Sequence, residues 1–584
     1  MSDRVLTDAK KRCLFSFGVC IVFFLIVGYI FPVQFTINDD VVQMYIFAGY
    51  YSGTPHYFTP HTSMFFGLII NGLYHILPLL PMYTIFLVGV MFISCWIIVF
   101  CVLETANQHM TPFSIAVSLS VFFLTVFALP AIISIQYTLV AGLAAAASLA
   151  LAIIYSPSEH RIFYPILIIG MLILSYIVRE DVLYPAAVLM GTVIIYKIVK
   201  SRKIKRDMLV LSLLPIITVC LIASLVVVEA VVENTPFYHE LNEYKQESYA
   251  FMDYNMGSVT AAELGLSEHE LAVIRGFCYL TENIGVEFFA KANEIAESKS
   301  LKYFSRREFI FAAYRLFRVY ASSYIYLLHL LTFYIIFSSH YLDPQKSKSH
   351  RIIGYHNLNG LFAGAILLVI HALMGYLCLA GRFPWRVFYV CIILIVPFMV
   401  MSLCAIIARY ADNKKITHVI IVTLAFTTLL SITWYDFKGA TESKERNSYN
   451  VEIIESYARI HPNNIYIYDN SVMSQYLPAP FKIYREKPPL NLMFWGGWNA
   501  FTPTWYSQLE ANGLESLDFR SFTKENVFLM TKDPSSYHTR AFTSYVEEYF
   551  GEAERYFRIV DGIYGKGAYI FILKYDYWVD DGDE

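Results

Sequence analysis

Apolar positions fall in long unbroken blocks along this chain, separated by short polar breaks. Twelve such blocks begin near Cys13, His61, Tyr83, Ser114, Thr138, Ile162, Val182, Leu209, Tyr324, Leu358, Val387 and Ile416. A helix needs about 20 apolar residues to cross the hydrocarbon core of a bilayer, so each block is a candidate membrane span. The first follows Lys10, Lys11 and Arg12 and lacks a small-residue cleavage site, which predicts a retained first helix rather than a signal peptide.

The polar breaks set the expected orientation. Lys and Arg collect in short cytoplasmic loops. Four breaks are basic: the N-terminus, Lys197 to Arg206, Lys346 to Arg351, and Lys414–Lys415. They fall on one side only if one block before Lys197 does not span. His61 to Pro78 is the block to set aside, because it is short and broken by Asn71, His75 and Pro78. It is expected to be a helix lying in the interface. That leaves about eleven transmembrane helices, with the N-terminus in the cytoplasm and the C-terminus outside. Pro32 to Met82, Asn234 to Ser323 and everything after Trp434 are then outer segments.

Beyond the last block the periodicity changes. Val451 to Ile460 repeats like a helix, and Asn464 to Tyr468 alternates like a strand. Val527 to Met530 and Tyr569 to Leu573 read as further strands, with a helix from Thr543 to Phe550 between them. The expected fold is an all-α polytopic membrane domain, residues 1–435, followed by an extracytoplasmic α/β domain, residues 436–584. The outer loop 234–323 is too long for a linker and is expected to fold. Within it Asn242 to Asp253 reads as a polar surface helix, and Leu266 to Leu271 as a helix start. The acidic tail Asp580 to Glu584 is expected to be disordered.

Composition agrees with lipid. The 584 residues are 57% hydrophobic and only 16% charged, against about a quarter charged in a soluble domain. A net charge of -3 gives no footprint for nucleic acid. Eight of nine cysteines lie in apolar blocks and only Cys278 in a polar stretch, which describes neither a disulfide framework nor a zinc site.

In the expected topology the polar residues that no charge rule placed gather on the outer side. They are Asn38–Asp39–Asp40, Gln136–Tyr137–Thr138, Arg179–Glu180–Asp181 and Gly381 to Arg386. Carboxylates near the lipid surface are costly unless they are used, so Asp39 and Asp40 are the candidate catalytic pair. One can accept a proton from an attacking hydroxyl while its neighbour orients the acceptor. Arg382, Arg386 and Arg179 match phosphate geometry. Asn-Asp-Asp also suits a plain turn, and Arg179 could simply neutralise Glu180 and Asp181. Asp39, Asp40 and a histidine such as His56 or His61 leave a divalent cation open. Trp495-Gly496-Gly497-Trp498 reads either as a packed corner or as a platform for stacking sugars.

An acid pair, arginines and aromatic residues at one membrane face resemble the GT-C superfamily of polyprenyl-phosphate-sugar-dependent glycosyltransferases. The likeness rests on Asn38–Asp39–Asp40 directly after the first helix. It also rests on Thr59-Pro60-His61-Thr62-Ser63-Met64, which is similar to the start of an interfacial helix in protein O-mannosyltransferases. The resemblance implies Asp39 as general base and Arg382 or Arg386 on the lipid phosphate; the outer-face placement itself offers Arg179, Gln136, Tyr137 and His61 as further candidate substrate contacts. The resemblance also implies a polyprenyl-phosphate sugar donor, a glycan or lipid-linked acceptor in the cell envelope, and the bilayer as partner. A polysaccharide polymerase or ligase also uses arginines on outer loops and would not need Asp39 or Asp40. A transporter or flippase is the third reading, although transporters favour midplane charges and inverted repeats, and here the charges cluster at one face with no repeat.

Overall fold

The computed structural model describes residues 8–157, 163–200, 205–280, 284–300, 310, 313, 314, 355–379, 384–408, 414–433, 437–474, 476–550, 555–566 and 568–577. The expected span from Tyr324, the basic segment Lys346 to Arg351, Arg382 and the acidic tail lie outside them. Of the described residues 72% are helical, with a small sheet region near the C-terminus. Among the described residues eight helical segments are long and apolar enough to cross a bilayer, which marks a membrane protein. The chain divides into two compact units.

The first unit comprises Met1–Val33, Phe86–Val228 and Ser305–Phe437. Its centre is the helix Tyr137–Ile154, nearly all of it buried. The run Ala141-Gly142-Leu143-Ala144-Ala145-Ala146-Ala147-Ser148 explains why, since small side chains let neighbouring helices approach closely. A Cβ at Gly142 would lie 3.1 Å from the Val390 side chain, on the adjacent helix Trp385–Ala408. Ser148 donates across to the Ile168 carbonyl at 2.7 Å. Ahead of Pro130, which has no N–H to offer, the helix from Phe113 widens into a π turn over Phe123–Ala128. The Tyr389 hydroxyl donates to the Phe127 carbonyl there at 2.8 Å. At another point Arg12 and Glu104, both buried, pair at 2.7 Å.

The second unit comprises Gln34–Ile85, Glu229–Phe304 and Lys438–Glu584. Sequence periodicity grouped the first two segments with the membrane helices; the contacts gather them with the C-terminal segment. The sheet has five strands, β1 (Ile465–Tyr468), β2 (Leu492–Phe494), β3 (Val527–Thr531), β4 (Arg555–Gly565) and β5 (Ala568–Tyr577), in the order β2-β1-β3-β5-β4. β1 is parallel to β2 and β3, and β5 is antiparallel to β3 and β4. Ile467, Leu529, Trp495, Phe522 and Phe542 from this sheet and its helices share one core with Leu271, Ile274, Leu280 and Phe289 from the long loop. Cys278, in a polar stretch of sequence, is wholly buried in that core. The loop therefore folds, as its length suggested. It carries helices Pro236–Ala250, Glu268–Arg275 and Val286–Ser300, the second capped by Ser267.

Two short helices complete this unit. Asn38–Ala48 begins with the acid pair and ends at Gly49, whose φ of 71° only glycine adopts readily. Met64–Ile76 has 13 residues and spans about 20 Å, short of the roughly 30 Å hydrocarbon core. Its face of Phe66, Ile70 and Tyr74 is buried, while Leu68, Ile69 and Ile76 are exposed.

Candidate functional site

The candidate site of the second unit is built around Asp39. The first turn of Asn38–Ala48 carries both aspartates, where the helix dipole favours negative charge. Consecutive residues on a helix point about 100° apart, so the two carboxylates part company. Asp40 is wholly buried and accepts a 2.8 Å hydrogen bond from the Tyr83 hydroxyl. Asp39 is partly exposed and accepts from the Trp498 indole N–H at 3.2 Å. The sequence pair is thus one anchored acid and one accessible acid.

Local packing holds the helix that presents them. Tyr45, one turn and a half further on, meets the Tyr484 hydroxyl at 2.6 Å. Tyr484 belongs to a nest of tyrosines around Glu455, a buried carboxylate that accepts from Tyr476 at 2.9 Å and from Lys482 and Arg459 at 3.4 Å. Burial raises the Tyr45 and Tyr484 pKa values, so both stay protonated as hydrogen-bonding struts.

The glycine pair of Trp495-Gly496-Gly497-Trp498 explains how an indole reaches Asp39. A Cβ at Gly496 would fall 2.5 Å from the Phe277 carbonyl oxygen, and Gly497 sits at φ 75°. The Tyr279 N–H donates to the Trp495 carbonyl at 3.1 Å and the Gly497 N–H to the Phe277 carbonyl at 2.9 Å, pinning the turn to the long loop. Trp495 is buried in the core, whereas Trp498 faces outward to Asp39. Trp495 is the packed corner of the first reading, and Trp498 stands at the carboxylate.

His61 joins the same cluster. Its ring meets Trp498 edge-on at 4.5 Å and stacks on Tyr249 at 5.1 Å, with the Tyr249 hydroxyl 3.2 Å from Nε2. The loop before Met64–Ile76 is held by Glu229, which accepts from the Met64 N–H at 3.0 Å and from the Ser63 hydroxyl. His56 lies earlier on that loop, where burial lowers its pKa and favours the neutral ring. Among the described residues no group of three or more His, Cys, Asp and Glu has the geometry to hold a metal ion.

No family model, no curated protein and no solved structure matches the chain.

The remaining sequence candidates belong to the first unit. Arg179 forms an ion pair with Asp181 and donates to the Tyr137 hydroxyl at 3.1 Å, with its guanidinium 5.5 Å from that ring. Neutralisation by Asp181, one of the alternatives open in the sequence, is what this cluster displays. Gln136 precedes the Tyr137–Ile154 helix and is wholly buried; its amide has no hydrogen-bond partner among the described residues. Arg386 lies in the first turn of Trp385–Ala408, half-buried.

Four members of the site escaped sequence reading. Trp498 was seen but not linked to Asp39. Tyr249 sat inside a stretch read as a plain surface helix. Glu229, a carboxylate near the end of an apolar block, carried a signal that its composition alone could have raised. Gln43, one turn after Asp39, is wholly buried with an amide lacking partners among the described residues, and nothing local distinguishes it.

Proposed function

We propose that the chain is an integral-membrane glycosyltransferase that moves a sugar from a polyprenyl-phosphate donor to an extracytoplasmic acceptor such as a cell-envelope glycan. The observation that carries this reading is the Asp39 carboxylate, partly exposed and bound by the Trp498 indole, whose ring meets His61, itself stacked on Tyr249. A carboxylate among aromatic faces suits a hexose, whose hydroxyls bind the acid and whose C–H faces stack on rings. Asp39 takes the proton of an acceptor hydroxyl as its oxygen attacks the anomeric carbon. The bond from that carbon to the phosphate oxygen breaks, and polyprenyl phosphate leaves with the electron pair. Asp40 holds the helix in place through Tyr83. The charge rule, guanidinium geometry and the GT-C likeness together support Arg382 or Arg386 for the departing phosphate, and the outer-face placement adds Arg179, Gln136 and Tyr137 as further substrate contacts.

Cells lacking this protein should accumulate a polyprenyl-phosphate sugar and lose one envelope glycan decoration, as read by mass spectrometry of lipid extracts and envelope glycans. Unchanged pools of both would refute the assignment. The orientation has its own check. A cysteine at Ser443 should react with an impermeant thiol reagent in intact cells, and one at Ser201 should not.

A further inference from the structure

The same unit holds a cavity whose lining shares no residue with the Asp39 cluster. It is a cleft of about 380 Å³ lined by Phe237, Glu240, Tyr244, Ile284, Phe501 and Tyr506, within the size range of small-molecule sites. Four of its nine lining residues are aromatic, the rest being aliphatic or glycine apart from Glu240. Phe237 and Tyr506 are largely exposed at the rim, with ring centroids 6.5 Å apart. The Tyr244 ring is fixed by Phe501 at 4.9 Å and Phe289 at 5.7 Å.

Two details distinguish this cleft from a packing defect. Tyr244 is only 7% exposed, yet its hydroxyl has no hydrogen-bond partner among the described residues. A buried hydroxyl without a partner costs stability, and a phenylalanine would fill the same space without that cost. Burial also raises the Tyr244 pKa, so the hydroxyl remains a donor. Phe501 sits at φ 63°, a conformation that bulky residues seldom adopt, and this turns its ring against Tyr244. The exposed Glu240 carboxylate lies close enough to Tyr506 to raise its pKa, after the larger effect of burial.

We infer that this cleft binds a neutral oligosaccharide, with one pyranose ring stacked on Tyr506 and Phe237 and its hydroxyls bonded to the Tyr244 hydroxyl and the Glu240 carboxylate. Flat aromatic walls match the C–H face of a pyranose, and a donor and an acceptor at opposite depths match its hydroxyls. The carboxylate at the mouth disfavours anionic glycans. Tyr244 at the cleft and Tyr249 at His61 are carried by the one helix Pro236–Ala250, five residues apart. Binding stands on the cleft alone; its service as the acceptor subsite rests on the transferase reading.

The test uses the full chain in nanodiscs with maltotetraose, cellotetraose and a mannotetraose, followed by saturation-transfer NMR and calorimetry. At least one should bind, and Tyr506→Ala should weaken it about tenfold. Tyr244→Phe should weaken it about five- to tenfold while leaving the melting temperature unchanged or higher, a pairing that a merely structural tyrosine would not give. Binding of no tetrasaccharide, or wild-type affinity in both variants, overturns the proposal. If a tetrasaccharide binds as described but no sugar donor is consumed, the cleft stands and the transferase reading falls. If donor is consumed, Tyr506→Ala should raise KM for the acceptor and not for the donor.

Discussion

In the first unit charge is met by charge. Arg12 pairs with Glu104 in a buried site, and Arg179 pairs with Asp181. In the second unit the described hydrogen bonds to the carboxylates of the candidate site include neutral donors: an indole at Asp39, a phenol at Asp40, a hydroxyl and a backbone N–H at Glu229. An ion pair spends the carboxylate's charge on its partner. A neutral donor orients a carboxylate and leaves it able to accept a proton or bind a hydroxyl. The difference teaches that charge near a membrane is not evidence of chemistry by itself; the kind of partner separates a structural clasp from a site poised to react.

That contrast predicts opposite consequences for similar substitutions. Asp39→Asn keeps size and hydrogen bonding but removes the base, and should slow turnover about a hundred- to ten-thousand-fold with an unchanged melting temperature. Asp40→Asn, at the Tyr83 contact, should instead lower the melting temperature and cost less in rate. Equal rate losses with equal stability would erase the distinction between the two acids.

Arg12→Ala should do the reverse of Asp39→Asn. It leaves the buried Glu104 uncompensated and should destabilise the protein by about 3–5 kcal/mol. Replacing both partners with Leu should recover most of that loss. A double variant no better than Arg12→Ala would show that the pair does more than neutralise itself.

Trp498→Leu removes the donor to Asp39 and a stacking face. A hydrogen bond to a charged group contributes about 1.5–3 kcal/mol, so turnover should fall roughly ten- to a hundredfold, with Trp498→His partly restoring it. Wild-type turnover in Trp498→Leu would reduce the indole to a bystander.

The smallest effect lies at a surface pair in the second unit. Lys299 at 2.6 Å, then the Thr260 N–H and hydroxyl, lower the Glu263 pKa from 4.5 to about 2. A depressed folded pKa gives a contribution present above about pH 4.5 and lost as the pH falls toward 2. Amide protection at residues 260–264, corrected for the intrinsic pH dependence of exchange, should therefore fall across that window in wild type. In Glu263→Gln it should be low already at neutral pH. Identical exchange in the two proteins would remove the pair's role.

The helices were legible because hydrophobic blocks of this length have few alternatives. All the predicted blocks within the described residues are helices, including the one read as too short to span. In the sheet, β1 was legible by alternation and β3 and β5 as short apolar runs, whereas β2 and β4 were not legible. β2 has three residues beside Pro488 and Pro489, and the register shift of β4 between Ile559 and Asp561 breaks the period of two that would have revealed it. Asp39, Asp40 and His61 could be singled out because polar residues stand out beside apolar ones. Their partners could not: Trp498 and Asp39 are 459 residues apart, and no local pattern encodes such a contact.

The central claim is that the Asp39 cluster transfers sugar from a lipid phosphate. The most direct measurement gives purified protein in nanodiscs a radiolabelled polyprenyl-phosphate sugar and follows release of polyprenyl phosphate with and without a glycan acceptor. The account predicts acceptor-dependent release by the wild type and next to none by Asp39→Asn at equal expression and equal melting temperature. Consumption of donor at the same rate by both proteins, or by neither, would contradict it.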